Sequence, residues 1–436
     1  MKNIPLILDL GKNLAEYEQI LSEHRTFTKL VNQHYPPDLL KGHKAQCQAD
    51  ETTRLGYHGS YSRHCIITTE GLRLSTTIGR VYCPLCLKTW TVYPSILVPR
   101  CHYDSYVVQN TLEDTLSHED TYRAVTRRQA QLTSSGEPKA HYFVHPRTPW
   151  HWVLGLGQIS LPWLLLSCGL LPPEYAALDE KFLKQNTQRS YAVGLVDQCY
   201  ELVWWLDYVF GTDQTTLQAS LQELTNTLKL VEPEHYFKGI TGDSWKAAKN
   251  AFAALDPRTQ LAECLLHPML KFEQEVARYA RYTEASAEVV AELKAAYWQV
   301  LFAKDQPTWE SRLVELEKRS EFAHPILADR LASLRRKQVG LCLRFSDPNL
   351  ALTSSALDRI FARLERKFGS LQQFRTDEGG KATLSAWGIV HNFRRFGPGA
   401  RRAGYSPVEL AGVDLNGLPW LQFVLIRLSK VQWLCD

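Results

Sequence analysis

A chain of 436 residues with 44% hydrophobic and 22% charged residues is long enough for more than one core and too apolar for a disordered protein. Its formal net charge of +4 is too small to identify a nucleic-acid partner, so the distribution of charge carries more weight than the total. Asp9 and Lys12 interrupt the N-terminal apolar stretch too early for a secretory signal, and ten cysteines without one suggest a reducing compartment, where clustered thiols bind metal more often than they pair.

Residues 1–42 read as a short helical lead-in, with Leu14, Tyr17, Ile20 and Leu21 on one face. Residues 43–102 read as a zinc ribbon. Its strongest element is the knuckle Cys83-Pro84-Leu85-Cys86 between β-forming residues, because two thiolates at this spacing reach one tetrahedral Zn²⁺ from a tight turn. Cys47 is the natural third ligand. The fourth is His43 or Asp50, with His43 preferred because imidazole is the commoner zinc ligand; His64, Cys65, Cys101 and His102 are further candidates.

Residues 103–172 read as helical. Tyr106, Val107, Asn110, Leu112 and Leu116 mark a first helix. Ser117 with Asp120 three residues later supplies a start signal for a second, which carries Val125 and the basic pair Arg127-Arg128. Such a pair fits a helix-turn-helix as well as any packed helical pair. The apolar segment Trp152 to Leu171 sits at the margin of a membrane span, but Gln158, Pro162 and its glycines make it a buried helix plus turn. Pro172-Pro173 then reads as a boundary.

Asp179 to Ser190 reads as a polar helix. Tyr191 to Asp197, Leu202 to Phe210 and Thr215 to Leu221 read as three strands, followed by an amphipathic helix on Leu221, Leu224, Leu228 and Leu230. A short apolar run with Tyr236, Phe237 and Ile240 stops at Gly242-Asp243, and a helix opens on Trp245, Ala248, Phe252 and Leu255. Asp197 and Asp243 therefore close two strands, where open α/β sheets place ligands. The competing reading of Asp243 is a helix N-cap. Two carboxylates on neighbouring strand ends raise each other's pKa unless a cation lies between them. A divalent ion fills that role, and this order of strands and acids is the pattern of a ribonuclease H-like nucleic-acid enzyme.

From Phe272 to Leu334 apolar residues recur at helical spacing, which marks an all-α insertion over residues 269–345. Between Arg359 and Arg402, ten Lys/Arg stand against three acids, a footprint suited to phosphate contacts as well as to a solvated face.

The chain resembles the prokaryotic insertion-sequence transposases of the DDE/DDD type from about Cys47 to Val413. The knuckle around Cys83-Pro-Leu-Cys86 is similar to their zinc-ribbon head, and Ile240-Thr-Gly-Asp243 to the segment holding their second catalytic aspartate. Glu263-Cys264-Leu265-Leu266-His267 resembles the Cys-x2-His helix that follows, and Thr353 to Val413 the closing module with its Thr-Asn-Asn-x-x-Glu start. In that register Ser354 and Ser355 replace both asparagines and Asp358 replaces glutamate.

The resemblance implies an α/β ribonuclease H-like catalytic core over residues 173–268 and 346–413. The all-α insertion interrupts this core, the zinc ribbon and helical DNA-binding region precede it, and a tail follows over 414–436. It implies that Asp197, Asp243 and Asp358 hold two Mg²⁺ or Mn²⁺ ions for DNA strand cleavage and transfer. Asp207 is the rival for the first acid, and Glu365 for the third. Cys264 and His267 read as packing and hydrogen-bonding residues near the site. Double-stranded DNA, held by Arg127, Arg128, Arg363, Arg366, Lys367, Arg394, Arg395, Arg401 and Arg402, is the implied partner. A homo-oligomer on paired element ends, a nucleoid-associated cytoplasmic location and no membrane complete that expectation. Two other readings remain: a catalytically inactive, domesticated descendant that binds DNA, and a zinc-stabilised interaction protein without DNA affinity.

Overall fold

The computed structural model describes residues 6–9, 13–36, 40, 47–117, 121–131, 144–185, 188–243, 245–371, 374, 376–400 and 402–431. The chain is a mixed α/β protein that divides into two compact units. The first comprises Met1–Leu170, Arg366–Leu371 and Ser385–Asp436, and the second Leu171–Glu365 and Gln372–Leu384.

In the first unit, β1 (Leu6–Leu8), α1 (Leu14–Ser22) and α2 (His24–His34) precede a hairpin of β2 (Gly56–Ile67) and β3 (Arg73–Tyr82), and β4 (Thr89–Pro94) completes the sheet. The strand order is β1-β4-β3-β2, with β1 parallel to β4 and the other pairs antiparallel. Asn13 caps α1 by accepting the Glu16 N–H, and the helix then buries Tyr17 and Leu21. Tyr17 satisfies its hydroxyl by donating to Val92 O and accepting from Gly79 N, so burial of that ring leaves no polar atom stranded. A Cβ on Gly79 would lie 2.5 Å from Phe27, so glycine there is what lets the two helices close on β3.

The helices α3 (Ser105–Ser117), α4 (Tyr122–Gln131), α5 (Arg147–Leu156) and α6 (Leu161–Ser167) follow. Asp104, buried at the start of α3, accepts the Val107 N–H. The expected start signal for the second helix differs: Ser117 ends α3, and the Thr121 hydroxyl accepts the Ala124 N–H at the head of α4. Asp120 lies outside the described residues. The Trp152 to Leu171 segment is parts of two short helices, and no helix among the described residues is long and apolar enough to cross a membrane.

In the second unit, β5 (Tyr175–Gln185), β6 (Gln188–Asp197) and β7 (Leu202–Val209) form an antiparallel meander. Then come α7 (Gln214–Lys229), β8 (Gly239–Gly242), α8 (Lys246–Leu255) and β9 (Gln260–Glu263). The sheet order is β7-β6-β5-β8-β9, with β8 and β9 parallel to β5. Two expectations are corrected. Residues 179–190, expected as a helix, lie in the β5–β6 hairpin, where backbone pairs run from Ala177↔Val196 to Gln185↔Gln188. Lys, Glu, Leu and Gln favour helix locally, but this long ladder outweighs that preference. Residues 215–221, expected as a strand, lie in α7, whose N-cap Asp213 accepts the Thr216 N–H.

The insertion consists of α9 (Leu266–Thr283), α10 (Ala287–Leu301), α11 (Gln306–Glu317), a 3₁₀ turn at Ser320–Ala323, and α12 (Pro325–Ser346). Phe272, Tyr297, Trp309, Leu313 and Leu334 share its core. The chain ends with α13 (Ser355–Leu371), α14 (Asp377–Phe393), α15 (Pro407–Leu410) and α16 (Trp420–Val431). Residues 414–436 are therefore more than a tail: within the first unit α16 packs on β1, α3 and α6, and Gln422 donates to the buried Ser105 hydroxyl at 2.9 Å.

Candidate functional site

The first unit holds a thiol cluster. Between β3 and β4 the chain reverses through Cys83 to Lys88, with Cys83 N–H bonded to Lys88 O and Leu87 N–H to Cys83 O; Leu87 takes the left-handed conformation at φ 59°. This turn brings Cys83 and Cys86 together, and Cys47 joins them with its sulfur 3.8 Å from that of Cys83. The three sulfurs lie within 4.8 Å of one another and can hold a metal ion. Burial and the neighbouring sulfurs of Cys86 and Cys83 push the Cys47 thiol up to about 11, as expected where ionised sulfurs would repel without a cation. His43 lies outside the described residues. Asp50 does not join the cluster: one of its carboxylate oxygens accepts the N–H and hydroxyl groups of both Thr52 and Thr53. His64 is exposed beside Ser75.

The second unit holds carboxylates around the ends of its parallel strands. Ala177 on β5 pairs with Thr241 on β8, so two residues further on Asp179, still within β5, and Asp243, just past the end of β8, stand side by side. Asp243 is not the cap of α8, whose N-cap position is Trp245. Its side chain faces cations instead: Lys271 Nζ at 3.7 Å, Lys337 Nζ at 3.9 Å and His267 Nε2 at 3.9 Å. Asp179 is 8% exposed, and one of its oxygens accepts the Glu180 N–H. Burial pushes its carboxyl up to about 6; His267 opposes this, while the charges of Asp358 and Asp243 add to it. Burial and the charges of Asp179 and Asp243 push Glu180 up to about 7.

Asp358 stands in the first turn of α13, and three ties to the sheet position that turn. Thr241 Oγ1 donates to Ala351 O at 3.0 Å, Leu265 N–H to Leu352 O at 2.9 Å, and Ser354 N–H to the Cys264 sulfur at 3.3 Å. Asp358 Oδ2 is buried and lacks a hydrogen-bond partner among the described residues. Such an atom calls for a ligand. Cys264 holds Ser354 through its sulfur, and His267 lies 3.9 Å from Asp243. The adjacent Cys264 sulfur and the charges of Asp243 and Asp179 hold the imidazole up at about 9 against its burial. The three carboxylates do not close to within 4.8 Å of one another, as the thiols do.

Asp197, expected as the first acid, lies elsewhere. It ends β6, the second strand, and accepts the Cys199 and Tyr200 N–H groups in the β6–β7 turn. Reading residues 179–190 as a helix left β5 out of the strand count, so the strand that Asp197 closes is the second of the sheet and not the first. Asp179 carried a legible signal: Tyr175-Ala-Ala-Leu178 is an apolar run that stops on Asp179, as the run before Asp243 does. The rivals are also accounted for. Asp207 is buried and accepts from the Ser220 hydroxyl at 2.6 Å, and Glu365 pairs with Lys181 at 2.8 Å.

Of the basic residues expected on DNA, Arg127 and Arg366 are exposed, and Arg363 and Arg402 are half-buried. Lys367 is 1% exposed, with its ammonium over the Tyr122 ring. Arg394 pairs with Glu113 at 3.3 Å. Arg395 forks onto Glu409, the acid that closes the capping box of α15 with Ser406. Both are held in structural ion pairs. The Arg128 side chain and Arg401 lie outside the described residues.

A family described as a domain of unknown function (DUF6431) matches residues 46–130, which span the knuckle, the hairpin, α3 and most of α4. No curated protein matches the chain.

Proposed function

We propose that the chain is a metal-dependent DNA strand-cleaving and strand-transferring enzyme of the insertion-sequence transposase kind, with a ribonuclease H-like catalytic core in the second unit. The observation that carries this reading is the meeting of Asp179 on central β5, Asp243 after parallel β8 and Asp358 at the head of α13, the last with a buried oxygen that lacks a partner among the described residues. In this reading Asp179 takes the place expected for Asp197. Hard oxygen donors on three separate elements suit Mg²⁺ or Mn²⁺ better than a softer ion. Such an ion supplies Lewis acidity toward a phosphodiester when bound.

The protein's own part is positioning. The sheet holds Asp179 and Asp243 side by side, Cys264 and Ser354 hold the turn that presents Asp358, and burial of Asp179 limits the screening of its charge by water. In the first unit, Cys47, Cys83 and Cys86 would hold Zn²⁺, the ion that suits a thiolate set in a tight knuckle. Arg127, Arg363, Arg366 and Arg402 remain as phosphate contacts, and element ends, target DNA and a second copy of the chain as partners.

A second reading is a DNA-binding descendant without catalysis. Its support is Asp358 where the resembling family has glutamate, together with the three cations already around Asp243. Nicking of supercoiled plasmid in Mg²⁺ or Mn²⁺ separates the two. The enzyme reading expects nicking that falls by roughly 10³-fold in Asp179→Asn, Asp243→Asn and Asp358→Asn, the loss of several kcal/mol of charge stabilisation. Asp197→Asn should retain it. Nicking by wild type that persists in Asp179→Asn and Asp243→Asn would reject the enzyme reading.

A further inference from the structure

The helical insertion reaches the carboxylate cluster through two lysines, Lys271 on α9 and Lys337 on α12. On α12, Gly340 faces β9 so closely that a Cβ would lie 2.6 Å from Glu263 Cγ, and this approach sets the depth of the helix one turn earlier, at Lys337. Lys337 is 16% exposed, with its ammonium 3.7 Å from Glu263 Oε2 and 3.9 Å from Asp243 Oδ1. Glu263 is 3% exposed and also pairs with Lys249, while Lys271 approaches Asp243 from α9. Two acids, Asp243 and Glu263, are therefore shared among the three lysines Lys249, Lys271 and Lys337. This network is richer in cations than two carboxylates require. A lysine held this deep needs an anion at all times, because stranding a buried charge costs far more than a pair gains.

We propose that Lys337, with Lys271, is a latch on Asp243 that opens when Asp243 takes a divalent cation, and that the released ammonium groups then bind non-bridging oxygens of a nucleic-acid phosphodiester. This rests on the reading of Asp243 as an ion ligand. The latch has two consequences. Without nucleic acid, the lysines compete with the ion for Asp243, so the empty protein binds ions weakly. With a phosphate backbone present, the lysines have an alternative anion, so ion and backbone each raise the affinity for the other, as linkage requires. The insertion thereby takes part in the active site, and the substrate class it selects is a phosphodiester backbone.

The test is calorimetric titration of the full chain with Mn²⁺ alone, and titration of a random-sequence duplex with and without Mn²⁺, for wild type, Lys337→Met, Lys271→Met and Asp243→Asn. Lys337→Met keeps the aliphatic bulk and leaves Glu263 its partner Lys249; Lys271→Met repeats the test at a half-exposed position that folding does not depend on. The latch expects Mn²⁺ to bind roughly tenfold tighter to Lys337→Met, within the usual size of coupling between sites. It also expects the Mn²⁺-induced gain in duplex affinity to shrink and the salt slope to fall by about 1, with smaller changes of the same sign in Lys271→Met. Mn²⁺ binding that Asp243→Asn abolishes but Lys337→Met leaves unchanged or weakens would overturn the latch and spare the active-site reading. Wild-type Mn²⁺ binding that Asp243→Asn leaves intact would overturn both.

Discussion

The thiol cluster and the proposed carboxylate site are built on opposite principles. Three sulfurs sit within 4.8 Å of one another in a knuckle closed by backbone hydrogen bonds, and neutral thiols pack there without repulsion. The carboxylates stand further apart, one turned to a set of cations and another with an orphaned buried oxygen. A thiol cluster can be folded shut before its ion arrives because the ligands lose their protons to the metal. Carboxylates are already charged at neutral pH, so the fold must separate them or supply counter-cations. The first arrangement suits a structural ion and the second an exchangeable one.

The largest expected effect tests the structural side. Cys83→Ser, or removal of metal by a strong chelator, should unfold the β3–β4 knuckle, since apparent binding energies of structural zinc reach about 10 kcal/mol. Thermal melting with and without chelator reads this, and an unchanged melt would place the thiols among ordinary buried cysteines. Next is the exchangeable side. Asp179→Asn should cost plasmid nicking roughly 4 kcal/mol in activation free energy while Asp197→Asn costs little. Equal losses in both variants would remove the distinction between β5 and β6.

Asp104 supplies a buried carboxylate with no place in either cluster. Burial pushes it up to about 6, above its value in an unfolded chain. Its contribution to stability is therefore full below the unfolded value of about 4 and is lost as pH rises through about 6. Denaturant melts should show wild type losing on the order of 2 kcal/mol across that window, and Asp104→Asn, which keeps the cap acceptor, should flatten the slope. Mg²⁺ should leave this slope unchanged. Cys264→Ala is the mildest change: losing the sulfur that holds Ser354 should cost about 1 kcal/mol and weaken ion binding by releasing the turn of Asp358.

Several strands and the thiol cluster were legible in the sequence. The Cys83-x2-Cys86 knuckle and Asp243 stand out because local spacing alone defines them, and β6, β7 and β8 follow from their apolar runs. β5 escaped because its second half, Asp179-Glu-Lys-Phe-Leu-Lys-Gln185, consists of helix-favouring residues, and only pairing with β6 makes it extended. The basic footprint misled for a related reason. Charge along the sequence does not say which cations are already spent, as Lys367 is on Tyr122, Arg394 on Glu113 and Arg395 on Glu409. The basic run Arg335-Arg336-Lys337 has the local pattern of a solvated helix face, and the burial of Lys337 depends on how α12 meets β9, which no local pattern encodes.

The most direct test of the central claim is anomalous diffraction from crystals of the full chain grown with Mn²⁺. Manganese peaks are expected between the carboxylates of Asp179, Asp243 and Asp358, and are expected to be absent in Asp179→Asn. Manganese that ignores this cluster, or that binds at Asp197 in the β6–β7 turn, would contradict the claim.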